Sequence, residues 1–64
     1  MRKYLKKYRV DLGLKSKEMA EKLGIHSVTY SLIERGQQDP SFKLMRKFDE
    51  MFEVENLWEL FKNE

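Results

Sequence analysis

The stretch AEKLGIHSVTYSLIE, from Ala20 to Glu34, constrains this chain more than any other. It reads as helix, tight turn, helix. Met19, Ala20 and Leu23 fall at helical spacing, and Gly24 then stops the first helix, because glycine takes the left-handed backbone that ends one at little cost. A second helix follows at once, with Tyr30 and Ile33 predicted inward and Val28, Ser31, Leu32 and Arg35 on the opposite face. Two short helices joined this tightly cross at a steep angle, so the second stands proud of the body. Such an element can enter a groove, and the remaining residues read as the scaffold that holds it.

With 64 residues, the chain is expected to be a single domain spanning 1–64. At roughly that size only about 60 % of the unfolded surface is buried, so the core must be modest. There is no cysteine, hence no disulfide and no thiolate zinc site. No apolar run approaches the roughly 20 residues of a membrane helix, and no leader pattern opens the sequence. A soluble, cytoplasmic protein is expected. Net charge is only +2, but it is unevenly spread. Residues 1–23 hold eight Lys or Arg against three acids, whereas residues 39–64 hold four bases against seven acids. A basic front and an acidic back orient a molecule in the field of a polyanion.

In chain order, the first helix is predicted from about Arg2 to Leu12, with Leu5, Tyr8 and Leu12 as its apolar stripe and Leu14 as a buried pin after Gly13. The second begins near Ser16, whose hydroxyl can cap it, and the third near His26 or Ser27. Gly36 and Pro40 bound the clearest loop, since proline holds Asp39 extended. Ser41 caps a fourth helix from Phe42 to Phe52, with Phe42, Met45, Phe48 and Phe52 inward and Leu44 and Met51 at the edges. Asn56 caps a short last helix, with Glu59 placed as in a capping box and Leu57, Leu60 and Phe61 inward. The expected core comprises Leu5, Tyr8, Leu12, Met19, Ala20, Leu23, Tyr30, Ile33, Phe48 and Phe52. No strand-like alternation or internal repeat occurs, so the fold class is all-α, five helices in one small body.

Leu12-Gly13-Leu14, Glu18-Met19-Ala20-Glu21-Lys22-Leu23-Gly24-Ile25, Thr29-Tyr30-Ser31, Ile33-Glu34-Arg35-Gly36 and Pro40-Ser41 occur in this order. That series resembles the Cro/repressor-type (XRE-like, lambda-repressor-like) helix-turn-helix family over about residues 3 to 61. The resemblance implies a helix-turn-helix made by helices two and three, with Ala20 at their crossing. It also implies that Arg9 of the first helix pairs with Glu34 and locks helix one to helix three.

The departures from the family pattern matter as much. Many relatives carry threonine and glutamine where this chain has Lys15 and Ser16. Ser16 can still donate to a phosphate at the helix N-terminus, where the macrodipole favours an anion. Relatives often place glutamine or arginine at Ser27 and a basic or amide residue at Leu32. The predicted base-reading set is therefore His26, Ser27, Val28, Ser31 and Leu32, small and rather apolar. Such side chains read thymine methyls, while the bidentate partners of guanine and adenine are missing. Either DNA shape then contributes much of the specificity, or Gln37, Gln38 and Arg35 reach the DNA too. The predicted phosphate contacts are Lys15, Ser16, Lys17, Thr29, Arg35, Gln37 and Gln38. Asp49 stands where relatives favour a small apolar residue, and Trp58 either closes the bundle or covers a partner subunit.

The implied function is a sequence-specific, double-stranded DNA-binding transcriptional regulator, repressor-like, of a phage, mobile element or bacterium. One lone His26 and no nucleophile–base, paired-carboxylate or phosphate-loop pattern argue against an enzyme, a metal centre or a cofactor. No small-molecule ligand is expected. A homodimer is expected through the C-terminal residues Val54, Leu57, Trp58 and Phe61. The competing class is a protein-interaction module, an antitoxin or adaptor subunit, suggested by the exposed Val28/Leu32 pair and the acidic C-terminal half.

Overall fold

Glycines and one proline divide the chain into five helices in the computed structural model, which describes residues 1–64. They are α1 (Lys3–Asp11), α2 (Ser16–Leu23), α3 (Ser27–Glu34), α4 (Phe42–Phe52) and α5 (Leu57–Leu60), and no strand is present. The domain is nearly isometric, with extents of 24 × 23 × 23 Å. α2 packs chiefly on α3, α1 lies against α3 and α5, and α4 supports α2.

The core is one cluster of Leu5, Met19, Ala20, Leu23, Tyr30, Ile33, Leu44, Phe48, Leu60 and Phe61. Phe48 is its hub. The ring is fully buried and meets Tyr8, Phe52 and Phe61 at centroid separations of 5.8, 4.8 and 5.3 Å. These are tilted and edge-on geometries that aromatic quadrupoles favour. Through them, α1, α4 and the residue ending α5 share one aromatic joint. Tyr8 and Phe52 reach only partial burial at its margin, as does Leu14.

Leu12 of the expected core and Phe42 of the fourth-helix stripe lie outside. Leu12 is 44 % exposed, because α1 stops at Asp11 and the chain turns before that stripe position is reached. The Arg9 guanidinium instead grips the Leu14 carbonyl at 2.8 Å, drawing Leu14 toward the body. Phe42 is 78 % exposed. At 3.6 residues per turn it lies about 120° around α4 from Phe48, whereas Leu44 lies only about 40° away. Leu44, placed at an edge from the sequence, is therefore buried and Phe42 is not. Asp49 is exposed and so is simply solvated.

Helix starts also separate into two kinds. Ser41 Oγ accepts the Leu44 N–H at 3.1 Å and Asn56 Oδ1 accepts the Glu59 N–H at 3.2 Å, so α4 and α5 are capped by side chains. α2 and α3 are not. Lys15, in extended backbone, precedes α2, and Ser16 is the first helical residue rather than the cap. Only the reverse half of a capping box forms there, with the Lys15 N–H donating to the Glu18 carboxylate at 2.8 Å. His26 occupies the corresponding place before α3, with Ser27 already helical.

Candidate nucleic-acid interface

The α2–α3 unit is built around Ala20 and Gly24. Ala20 is 1 % exposed, and its carbonyl accepts the Ile25 N–H at 3.0 Å, so the turn folds back onto it. A larger side chain at this point would push the second helix away. Gly24 has φ 71° and ψ 30°. A β-carbon there would meet only the movable end of Lys47, at 2.9 Å, so the need for glycine is conformational rather than spatial.

α3 is held by its inner face and by its C-terminal end. Tyr30 and Ile33 are each 1 % exposed in the core. Glu34 receives Arg9 in a two-pronged pair, Nε to Oε2 at 2.9 Å and Nη2 to Oε1 at 3.1 Å. The two side chains are 13 % and 9 % exposed, so the pair is largely screened from water. The Glu34 hydrogen bond raises the Arg9 pKa above its already high ordinary value. Beside this pair the Tyr30 hydroxyl is buried with no hydrogen-bond partner. Burial, reinforced by the Glu34 carboxylate, pushes its pKa well above the ordinary tyrosine value.

A further arginine stands outside the residues expected from the sequence. Arg2, 4 % exposed, donates to the Ile33 carbonyl at the end of α3 at 2.6 Å. A positive side chain at this end complements the helix dipole. The available signal was spacing: Arg2, Leu5 and Arg9 stand at i, i+3 and i+7 and share the inward face of α1.

The outer face of α3 is left uncommitted. His26, Ser27 and Val28 are exposed, Val28 by 66 %, while Thr29, Ser31 and Leu32 are half-buried along the same helix. Lys15 and Lys17 are exposed around half-buried Ser16 in the first turn of α2. Arg35, Gln37 and Gln38 are exposed just beyond α3. Arg35 does not extend freely, since its Nη2 donates to Ser31 Oγ at 3.2 Å. One position assigned to phosphate and one assigned to bases are thus joined.

The acidic back is not uniform either. Lys43, Arg46 and Lys47 line one concavity of α4, with only Arg46 paired, to Glu50 at 3.6 Å. Lys43 and Lys47 also border a second hollow beside the Leu23-Gly24-Ile25 turn. No cluster of His, Asp and Glu side chains is arranged to hold a metal ion, and no helix is long and apolar enough to cross a membrane.

A family model described as helix-turn-helix matches residues 5–55. An uncharacterised HTH-type transcriptional regulator of Methanocaldococcus jannaschii is 41 % identical over 54 residues, covering 84 % of this chain and 82 % of that protein. Two uncharacterised HTH-type transcriptional regulators of Archaeoglobus fulgidus are 31 % and 29 % identical. These alignments cover 81 % and 92 % of this chain and 74 % and 97 % of theirs. No solved structure gives a significant match.

Proposed function

This chain belongs to the helix-turn-helix family, and from that premise we propose that it is a non-enzymatic, DNA-binding transcriptional regulator that reads the major groove with α3. The observation that carries this is the division of α3 into two faces. Its inner face and C-terminus are committed to Tyr30, Ile33 and the Arg9–Glu34 pair, while its outer face holds side chains that stand outside the core, with one local hydrogen bond from Arg35 to Ser31. His26, Ser27, Val28, Ser31 and Leu32 are the proposed base readers. Val28 and Leu32 suit thymine methyl groups, and Ser27 and Ser31 can donate or accept at base edges.

Lys15, Ser16, Lys17, Thr29, Gln37 and Gln38 are the proposed backbone contacts, with Arg35 released from Ser31 to join them. The uncapped starts of α2 and α3 favour this assignment, because their first amides remain available to an anion. The domain works as a homodimer on a two-fold site. The dimer surface differs from the sequence expectation. Phe61 is buried, and Val54 and Leu57 pack against the core, which leaves Trp58 exposed by 80 %. Trp58 shares a concavity with Phe42 and Met45, and that concavity is the proposed contact.

Titration of mixed-sequence and selected duplexes across a salt series tests the proposal. Affinity is expected to fall steeply with salt, because binding releases phosphate counterions and added salt opposes that release, and one sequence class is expected to emerge from a random pool. A protein-interaction module, which exposed Val28, Phe42 and Trp58 also suit, would give neither result.

A further inference from the structure

Arg2 buries a full positive charge, yet it takes no part in the contacts proposed above. All three guanidinium nitrogens are engaged. Nε donates to the Phe61 carbonyl at 3.0 Å, Nη1 to the Ile33 and Gln38 carbonyls at 2.6 and 3.0 Å, and Nη2 to Asp39 Oδ1 at 3.2 Å. Its backbone N–H donates to the Glu34 carbonyl at 2.8 Å. The end of α3, the loop after it and the residue closing α5 therefore meet on one side chain.

Stability alone is a poor reason for this arrangement. The only formal countercharge, Asp39, is 96 % exposed and strongly screened. Well-packed apolar residues often serve as well as a buried ion pair. What a planar fork of donors adds is fixed relative geometry among its acceptors. The loop needs that. Gly36 and Gln37 are tied back to Ile33 and Leu32, and Asn63 holds the Gly36 carbonyl. The Gln38 carbonyl and the Asp39 carboxylate are held by Arg2 alone.

We infer that Arg2 is the positioning residue of the 36–39 loop, fixing Gln37 and Gln38 relative to the last turn of α3 before DNA is met. The inference rests on the proposal that this loop and α3 face the duplex. A loop ordered in advance spares the conformational cost that binding would otherwise impose. Charge alone is not enough for this role, because a lysine ammonium is a point charge without the fork.

Arg2→Met and Arg2→Lys, each verified as folded by circular dichroism, are compared with the unaltered chain by amide hydrogen exchange without DNA. Exchange at Gly36 and Gln37 is expected to rise at least tenfold in both variants, with α2 amides unchanged. A second measurement crosses each variant with Gln38→Ala on a selected duplex. Affinity is expected to fall about tenfold with the ranking of sequences unchanged, and Gln38→Ala to have no further effect once Arg2 is replaced. Unaltered loop exchange, or a rise shared equally by α2, overturns the inference. So does rescue by lysine, or strict additivity of Arg2 and Gln38 substitutions when Gln38→Ala alone weakens binding. If the loop loosens but Gln38→Ala alone has no effect on DNA, the positioning role stands and the DNA assignment of the loop falls.

Discussion

At Tyr30 a hydroxyl has been carried into the core without a partner. Burying a polar group unpaired costs free energy, so Tyr30→Phe is expected to leave stability at pH 7 unchanged or raise it by up to about 1–2 kcal/mol. The same residue sets an alkaline limit. Its folded pKa is raised, so the folded state keeps a proton that the unfolded state releases above the ordinary value of 10.0. Stability from this group is complete below that value and is lost as pH rises beyond it. Denaturant titrations at pH 9 to 11 should show a shallower decline for Tyr30→Phe, and parallel declines would refute it. Arg9→Ala is a contrasting case, since it leaves the Glu34 charge in a nearly closed site. A loss of about 3 kcal/mol is expected, near the low end for a broken buried pair, read from the urea midpoint. Such residues differ in how far sequence reveals them. Gly24 and Ala20 act through neighbours a few positions away, so their roles follow from local spacing. Arg2 bonds to residues 31 to 59 positions distant, and no local pattern encodes such partners. Leu12 and Phe42 are apolar yet exposed, because Leu12 lies past the end of α1 and Phe42 on the side of α4 away from Phe48.

Between elements, the α2–α3 crossing and the freedom of the α3 outer face are separable properties. Ala20→Leu overpacks the crossing and is expected to cost about 1–3 kcal/mol of stability, measured as a fall in thermal midpoint. Substitutions on the outer face should leave that midpoint nearly unchanged, since Val28 and Leu32 do not belong to the core cluster. Their effect belongs to recognition. Val28→Ala and Leu32→Ala are expected to change which sequences are selected from a random pool, each altering discrimination at the base pair it contacts. Lys15→Ala and Lys17→Ala should instead weaken every duplex alike and reduce the salt slope by about one each. An unchanged sequence preference in the Val28 and Leu32 variants would mean that α3 does not read the bases. The helices, their order and the helix-turn-helix were all available from apolar spacing, glycine stops and the Cro/repressor-like residue series. Which helix starts are capped was not. Ser16 carries a capping hydroxyl in the right neighbourhood, and only the backbone angles of Lys15 assign the boundary one residue earlier.

As a whole molecule the domain is too small to bind one site tightly by itself. The five proposed reading residues and seven proposed phosphate contacts fall short of a specific complex, and pairing on one duplex would make the second association effectively intramolecular. Symmetric half-sites on B-DNA lie about 34 Å apart, one helical turn. A domain 24 Å across meets that spacing when two copies touch away from α3, with their reading helices beyond the shared contact. The Phe42, Met45 and Trp58 concavity is proposed for that contact because it collects two aromatic rings, 78 % and 80 % exposed, that no intramolecular packing covers. Exposed aromatics at the centre of a contact are frequent anchors of binding energy. Trp58→Ala is therefore a clean probe. It removes little from the monomer, so its stability should stay within the range of about 0.5 kcal/mol that surface substitutions give. Affinity for a single half-site should also be unchanged. On a full two-fold site, affinity is expected to fall at least tenfold, with loss of the cooperative second step in the titration. Sedimentation of the unaltered chain with that duplex should give two protein copies per site. One copy at saturating protein would exclude the dimer, and wild-type cooperativity in Trp58→Ala would move its interface elsewhere.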